Sequence, residues 1–212
     1  MGQPLLKDKF YTPEEYLEFE RNAEERHEYL DGRIYPVNKP GYGNVVGMAG
    51  ESLAHSRICI NIAREISFAL KGTGCEALSP NMKVRAETMG MFAYPDLSIV
   101  CGEPKFHDKQ RDVLTNPKVI IEVLSPSTER YDQTNKFFRY RKEISTLTDY
   151  VLIYQNMPFV EHHEKNAEGR WEHNAFDGLE DTFRIPSVNF EIPMTEIYDR
   201  VDFATVDSFP KS

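Results

Sequence analysis

Cysteine is scarce in this chain: Cys59, Cys75 and Cys101 are an odd number with no C-x-x-C pair among them. That excludes a dense disulfide framework, and the three are expected as reduced, mostly buried thiols. Long apolar runs are missing too. No stretch approaches the roughly 20 apolar residues that span a bilayer as a helix, so no membrane passage is expected. The opening MGQPLLKDKFYTPEEY lacks the apolar segment and small-residue cleavage site of a signal peptide, and the expected location is cytoplasmic. Basic charge is in short supply, with 25 Lys and Arg against 34 Asp and Glu and a net charge of −9. Strong nonspecific binding to nucleic acid needs a basic face, which this balance argues against. Repeats are absent, and the glycine-rich stretch PGYGNVVGMAG lacks the spacing of a phosphate-binding loop.

What is present describes one globular domain: 212 residues, of which 40% are hydrophobic and 28% charged, enough to enclose a core. Thr12-Pro13-Glu14-Glu15 is a capping box with proline at the first helical position, so a short helix should run to about Glu20. HEYLDGRIYPV reads as a hairpin turning at Asp31-Gly32. Ile58, Ile62, Ile66 and Leu70 recur at helical spacing and predict a long helix from Ser52 to Lys71, with Gly72 where a C-cap belongs. Strands are expected near 76–85, 92–101 and 118–124, then a helix over about 129–142. The strand DYVLIYQ follows, then a hairpin turning near 167–169, and last a strand and short helix in VNFEIPMTEIYDRV. This order is mixed α/β with a central sheet.

One feature of the strand KVIIEVL is anomalous. Glu122 stands inside an apolar, β-branched run, where an ionised carboxylate is unfavourable by several kcal/mol unless paired, protonated or bound to metal. Alternation puts Ile120, Glu122 and Leu124 on one face, and Asp96, Ser98 and Val100 on one face of the strand that follows Pro95. If the two strands pair as a hairpin with aligned ends, Asp96 lies near Glu122. Two adjacent carboxylates repel unless a proton or cation lies between them, and hard divalent cations are held by such pairs. The alternative is a structural ion pair from Glu122 to Arg85 or Lys83.

Asp96 after Pro95, Glu122 in its apolar strand, and EVLSPST followed by Asp132, Lys136 and Tyr140 together resemble the PD-(D/E)XK nuclease superfamily. The resemblance is nearest to one branch, the bacterial restriction-endonuclease family formerly catalogued as a domain of unknown function. It extends from the EYLDG hairpin through the HSRI helix start and PDLSIV to the D-x-x-x-K-x-x-x-Y helix, about Thr12 to Gln155. It implies a restriction-endonuclease-like α/β fold in a single domain over 1–212, with a core of about 12–155 and a sheet extension and tail over 156–212. The superfamily lysine normally stands two residues after the glutamate, where this chain has Leu124. The branch supplies it from the following helix, and Lys136 matches that position.

The resemblance further implies a Mg²⁺- or Mn²⁺-dependent endonuclease acting on DNA, as a homodimer by analogy. Asp96, Glu122 and the Val123 carbonyl would ligate the ion, with Glu28 as a further ligand or water-holding group. Lys136 would orient water or offset charge on the phosphate. Tyr140 would position the lysine or a phosphate, or else belong to the core. Asp132 would pair with Lys136, or else serve as a first-turn carboxylate. His55 matches a family position but is read as structural. His162-His163-Glu164 lies on a hairpin whose adjacent residues face opposite ways, which disfavours a shared metal. From Arg130 to Lys142 five basic residues (Arg130, Lys136, Arg139, Arg141, Lys142) stand against Asp132, a solvated face or a local phosphate-facing patch. The rival readings are a non-cleaving scaffold that binds DNA or protein, and a hydrolase of small phosphoesters with an enclosed pocket.

Overall fold

The structure is a computed structural model that describes residues 9–37, 52–86, 90–125, 129 and 132–204. The glycine-rich stretch, Arg130 and the residues Pro126, Ser127 and Thr128 lie outside these residues.

Helix α1 (Pro13–Glu20) opens on the expected capping box, Thr12 and Glu15 each closing on the other's backbone. Strands β1 (His27–Leu30) and β2 (Arg33–Pro36) pair antiparallel around Asp31 and Gly32, both at positive φ (48° and 84°) as a two-residue primed turn requires. Helix α2 (Leu53–Ala69) starts on Ser52, whose hydroxyl accepts the His55 N–H, and buries Ile58, Ile62 and Ile66. The strand expected over 76–85 is two strands in different sheets, β3 (Cys75–Leu78) and β4 (Lys83–Ala86), broken around Ser79-Pro80. The next likewise divides into β5 (Met91–Ala93) and β6 (Leu97–Cys101).

After β7 (Val113–Leu114), β8 (Val119–Leu124) pairs antiparallel with β6 and parallel with β9 (Asp149–Tyr154). Between β8 and β9 the chain makes a π-helical turn, Asp132–Lys136, that continues as α3 (Phe137–Glu143). The hairpin β10 (Phe159–Lys165) and β11 (Trp171–Asp177) extends the sheet beyond β9. Asn166 shapes its turn by accepting the N–H groups of Glu168 and Arg170. The tail adds β12 (Thr182–Ile185), β13 (Phe190–Pro193) and the short α4 (Met194–Ile197).

The central sheet has the order β11-β10-β9-β8-β6-β3, and its two faces bury different partners. Val119, Ile121 and Val123 of β8 join α2, β12, β13 and α4 in one apolar cluster. Ile120 and Leu124 turn the other way, toward α3 and the second sheet, β2-β1-β5-β4-β7. Helix α1 covers the far side of that second sheet through Tyr16 and Leu17. Glu122 shares the face of Ile120 and Leu124, so it points into the seam between the two sheets. No helix of the described residues is long and apolar enough to cross a membrane.

Cysteine pairing departs from expectation. Cys75 and Cys101 stand opposite each other on β3 and β6, their Cα atoms 4.0 Å apart, and are joined as a disulfide. Their spacing in sequence does not announce this, because strand register alone brings them together. Cys59 is a thiol.

A charged network fastens α1 to the loop before β7. Arg21 donates to Asp108 at 2.8 Å and to both oxygens of Asp112 at 2.7 and 3.1 Å, while Lys83 reaches Asp112 at 3.0 Å. Burial opposes ionisation of Asp112, but hydrogen bonds from Arg21 and Lys83 hold its pKa down at about 2. A depressed carboxylate contributes stability above its unfolded pKa and loses it as pH falls through the folded value. Asp112→Asn is therefore expected to destabilise the protein near neutral pH by about 1 kcal/mol after discounting for solvent screening. The difference in melting temperature from wild type should narrow as pH drops from about 4 toward 2. A gap that stays constant across that range would exclude the Asp112 charge as its source.

Candidate active site

The short crossover Tyr94-Pro95-Asp96 carries the chain from β5 in one sheet to β6 in the other. Its residues are held from both sides. The Tyr94 N–H donates to Glu28 Oε1 at 3.2 Å, and Asp96 Oδ2 accepts the Val123 N–H at 2.7 Å. Leu97 pairs with Ile121, so one step outward sets Asp96 opposite Glu122, the juxtaposition that strand alternation predicts. Asp96 keeps 23% of its side-chain surface, whereas Glu122 keeps 4%.

Lys136 reaches the same point from the π-helical turn. Its ammonium lies 3.2 Å from Glu122 Oε1, 3.3 Å from Glu28 Oε1 and 3.2 Å from Asp132 Oδ1. An α-helix holding an extra residue in one turn often marks a functional site, and here that turn aims Asp132 and Lys136 inward together. Tyr150 of β9 donates its hydroxyl to the Asp132 carbonyl at 3.0 Å and anchors the turn. The alternative ion pair for Glu122 is not formed. Lys83 is engaged with Asp112, and Arg85 meets His107.

Burial pushes the Glu122 carboxyl well above its usual pKa, opposed by Lys136 and reinforced by Asp132, Asp96 and Glu28. Burial would lower the Lys136 pKa, but Asp132, Glu122 and Glu28 outweigh it and hold the ammonium well above its usual value. Three carboxylates thus converge on one lysine, and Asp96 stands opposite Glu122 beside them, a surplus of negative charge in a poorly solvated seam. That all-oxygen donor set fits a hard divalent cation.

His55, read from sequence as a structural residue, lies against this cluster. Its Nε2 is 3.4 Å from Asp96 Oδ2, and its Nδ1 is 3.5 Å from the Cys59 sulfur. Burial opposes its charge, but Asp96 and then Cys59 raise its pKa to about 11. The signal was available: His55 is three residues past the Ser52 cap, which fixes the face of α2 it occupies. The Ser52 hydroxyl also donates to Gln155 just beyond β9, tying the helix start to the sheet.

Tyr140, left open between a site role and the core, is fully buried beside Tyr150, with ring centroids 6.1 Å apart, which is the core placement. One expectation is corrected: the basic run is not a continuous patch. Lys136 is interior and Arg139 forms a two-pronged pair with Asp31, which leaves Arg141 and Lys142 as its exposed described cations. His162 faces the interior, 2.8 Å from Asp149, while His163 projects from the opposite face, as alternation along β10 requires.

Comparisons with other proteins agree with this architecture. An "Uncharacterized protein slr1290" of Synechocystis sp. is 32% identical over 195 residues, covering 91% of this chain and 93% of its own. A second from that organism, "Uncharacterized protein sll1609", is 33% identical over 163 residues, covering 77% and 85%. The crystal structure of a "putative nuclease belonging to DUF820" from Anabaena variabilis superimposes with a TM-score of 0.67 at 18% identity, over 88% of this chain and 97% of that one. The fold is the restriction-endonuclease-like fold. Residues 13–195 match the Uma2 family, described as "Putative restriction endonuclease", and the chain belongs to that family.

Proposed function

We propose that the protein is a Mg²⁺- or Mn²⁺-dependent endonuclease that hydrolyses DNA phosphodiester bonds, acting as a homodimer that addresses both strands. The observation that carries this reading is the convergence of Asp96, Glu122 and Lys136 at the seam, where a purely structural core would bury apolar groups. Asp96 and Glu122 hold the cation. The Val123 carbonyl joins them, since a strand residue's N–H and C=O share one side and the Val123 N–H meets Asp96. When bound, such an ion polarises a phosphoryl oxygen and lowers the pKa of water.

The chain's own groups do the rest. Glu28 and Asp132 flank the lysine and set its position. Lys136 carries the positive charge that offsets negative charge growing on the phosphoryl oxygens. His55 braces Asp96 from the start of α2.

Supercoiled plasmid is the direct test. Nicking or linearisation with Mg²⁺ or Mn²⁺, abolished by EDTA, is the expected result. Mg²⁺ should also raise the melting temperature of the wild type by mass action, and Asp96→Ala should abolish that rise while leaving the apo fold intact. A normal Mg²⁺ response in the variant would remove Asp96 from the ligand set. Absence of cleavage on supercoiled, linear and single-stranded DNA would favour a non-cleaving scaffold.

A further inference from the structure

The hairpin β10–β11 carries a second cluster of metal-ligating side chains, on the face opposite His162. Glu161 and His163 are two residues apart on β10 and so project together, and His173 of β11 stands directly across from His163. His173 Nε2 lies 3.1 Å from Glu161 Oε2, and His163 Nε2 lies 3.9 Å from the same oxygen. One ligand atom from each residue can be chosen so that all three lie within 4.8 Å of one another. Ligands about 2.0–2.2 Å from a tetrahedral ion stand roughly 3.4 Å apart, so these separations bracket the required one.

We propose that Glu161, His163 and His173 form a binding site for a divalent transition-metal ion of the zinc class, separate from the carboxylates around Lys136. Two imidazoles and one carboxylate are the donors of a borderline ion such as Zn²⁺, whereas Mg²⁺ prefers an all-oxygen set.

The surroundings hold the ligands in place as outer partners of a metal site do. The Tyr154 hydroxyl donates to Glu161 Oε1, directing the other carboxylate oxygen toward the histidines, and Gln133 donates to Tyr154. Phe137 stacks on the His163 ring, with centroids 4.3 Å apart. Gln133 belongs to the turn that bears Lys136, and Phe137 follows it directly. An ion on the hairpin therefore ties both strands to the segment that positions the lysine. The site stands on its own geometry and does not depend on DNA cleavage.

The test is calorimetric titration of Zn²⁺ into the full chain, comparing wild type, His173→Ala and Cys59→Ser. The Cys59 arm is needed because His55, Cys59 and Asp96 also bring three donor atoms together. His173 keeps about half its side-chain surface, so its truncation leaves the fold intact. The expected result is a site that weakens about a hundredfold in His173→Ala and is unchanged in Cys59→Ser. In the wild type, Zn²⁺ should also shift the ring proton resonances of His163 and His173. No binding at micromolar Zn²⁺ overturns the proposal, as does binding lost in Cys59→Ser but intact in His173→Ala.

Discussion

Glu122→Gln is expected to lower DNA cleavage by about a thousandfold, on the scale of removing one charge-stabilising group from a catalytic centre. The protein should meanwhile be at least as stable as the wild type. The two effects have one origin. Glutamine keeps the shape of the side chain but withdraws the charge that a hard cation needs. Burial first, then the neighbouring carboxylates, raises the Glu122 pKa, so its ionised form is unfavourable in the folded state. For an acid shifted upward, folding loses stability as pH climbs from the unfolded pKa through the folded one. The amide has no such dependence, and its advantage in melting temperature should grow from about pH 4 upward. Lys136 retains Glu28 and Asp132 as partners in the variant. Parallel cleavage and melting measurements decide the matter. Loss of activity together with a large fall in melting temperature would mean that Glu122 is a structural residue.

That combination explains why Glu122 was legible in sequence. A carboxylate inside VIIEVL violates burial rules, and such violations are expected where function outweighs stability. Strand alternation then sufficed to bring Asp96 beside it, because β6 and β8 pair antiparallel with nearly aligned ends. Lys136 was legible only through the family motif. Its approach depends on a π-helical turn, and a run such as DQTNK carries no periodicity that distinguishes an α turn from a π turn. The α1 capping box and the Asp31-Gly32 hairpin were readable because each is a local hydrogen-bonding pattern.

Contacts set by sheet order were not readable. Ser79-Pro80 and Tyr94-Pro95 each break what looks like one strand, and each break sends the chain into the other sheet. The first gives β3 the register that joins Cys75 to Cys101, and the second puts Asp96 at the seam. The hairpin cluster shows the same limit. His162-His163-Glu164 drew attention as a contiguous string, but the donors that meet are Glu161, His163 and His173, which only the register unites. The basic run misled for a similar reason: whether a lysine or arginine faces water depends on which acids the second sheet presents to it, here Glu28 and Asp31.

Lys136→Met should be the most disruptive single change in the apo protein. The ammonium is 93% buried and is shared among Glu28, Glu122 and Asp132 at 3.2 to 3.3 Å. Methionine fills much of the same volume but leaves three carboxylates facing one another without that cation, and breaking a buried pair in this way costs about 3–5 kcal/mol. For a chain of this size that is a fall of roughly 6–20 °C in melting temperature. Divalent cations should reverse part of the fall, since the carboxylates that lose an ammonium can accept a metal ion in its place. The Mg²⁺-induced rise should therefore be larger in Lys136→Met than in the wild type. Cleavage should nonetheless remain lost at saturating Mg²⁺, because a hydrated ion restores the charge but not the ammonium's own N–H donors on a side chain that can reach toward the phosphate. Lys136→Arg separates charge from shape: it keeps the positive charge, so it should recover more stability than activity, the planar guanidinium being a poor substitute for a compact ammonium. Melting curves with and without Mg²⁺, followed by plasmid cleavage on the metal-stabilised protein, measure both quantities. A Lys136→Met protein that melts like the wild type, gains nothing extra from Mg²⁺ and still cuts DNA would remove Lys136 from the site.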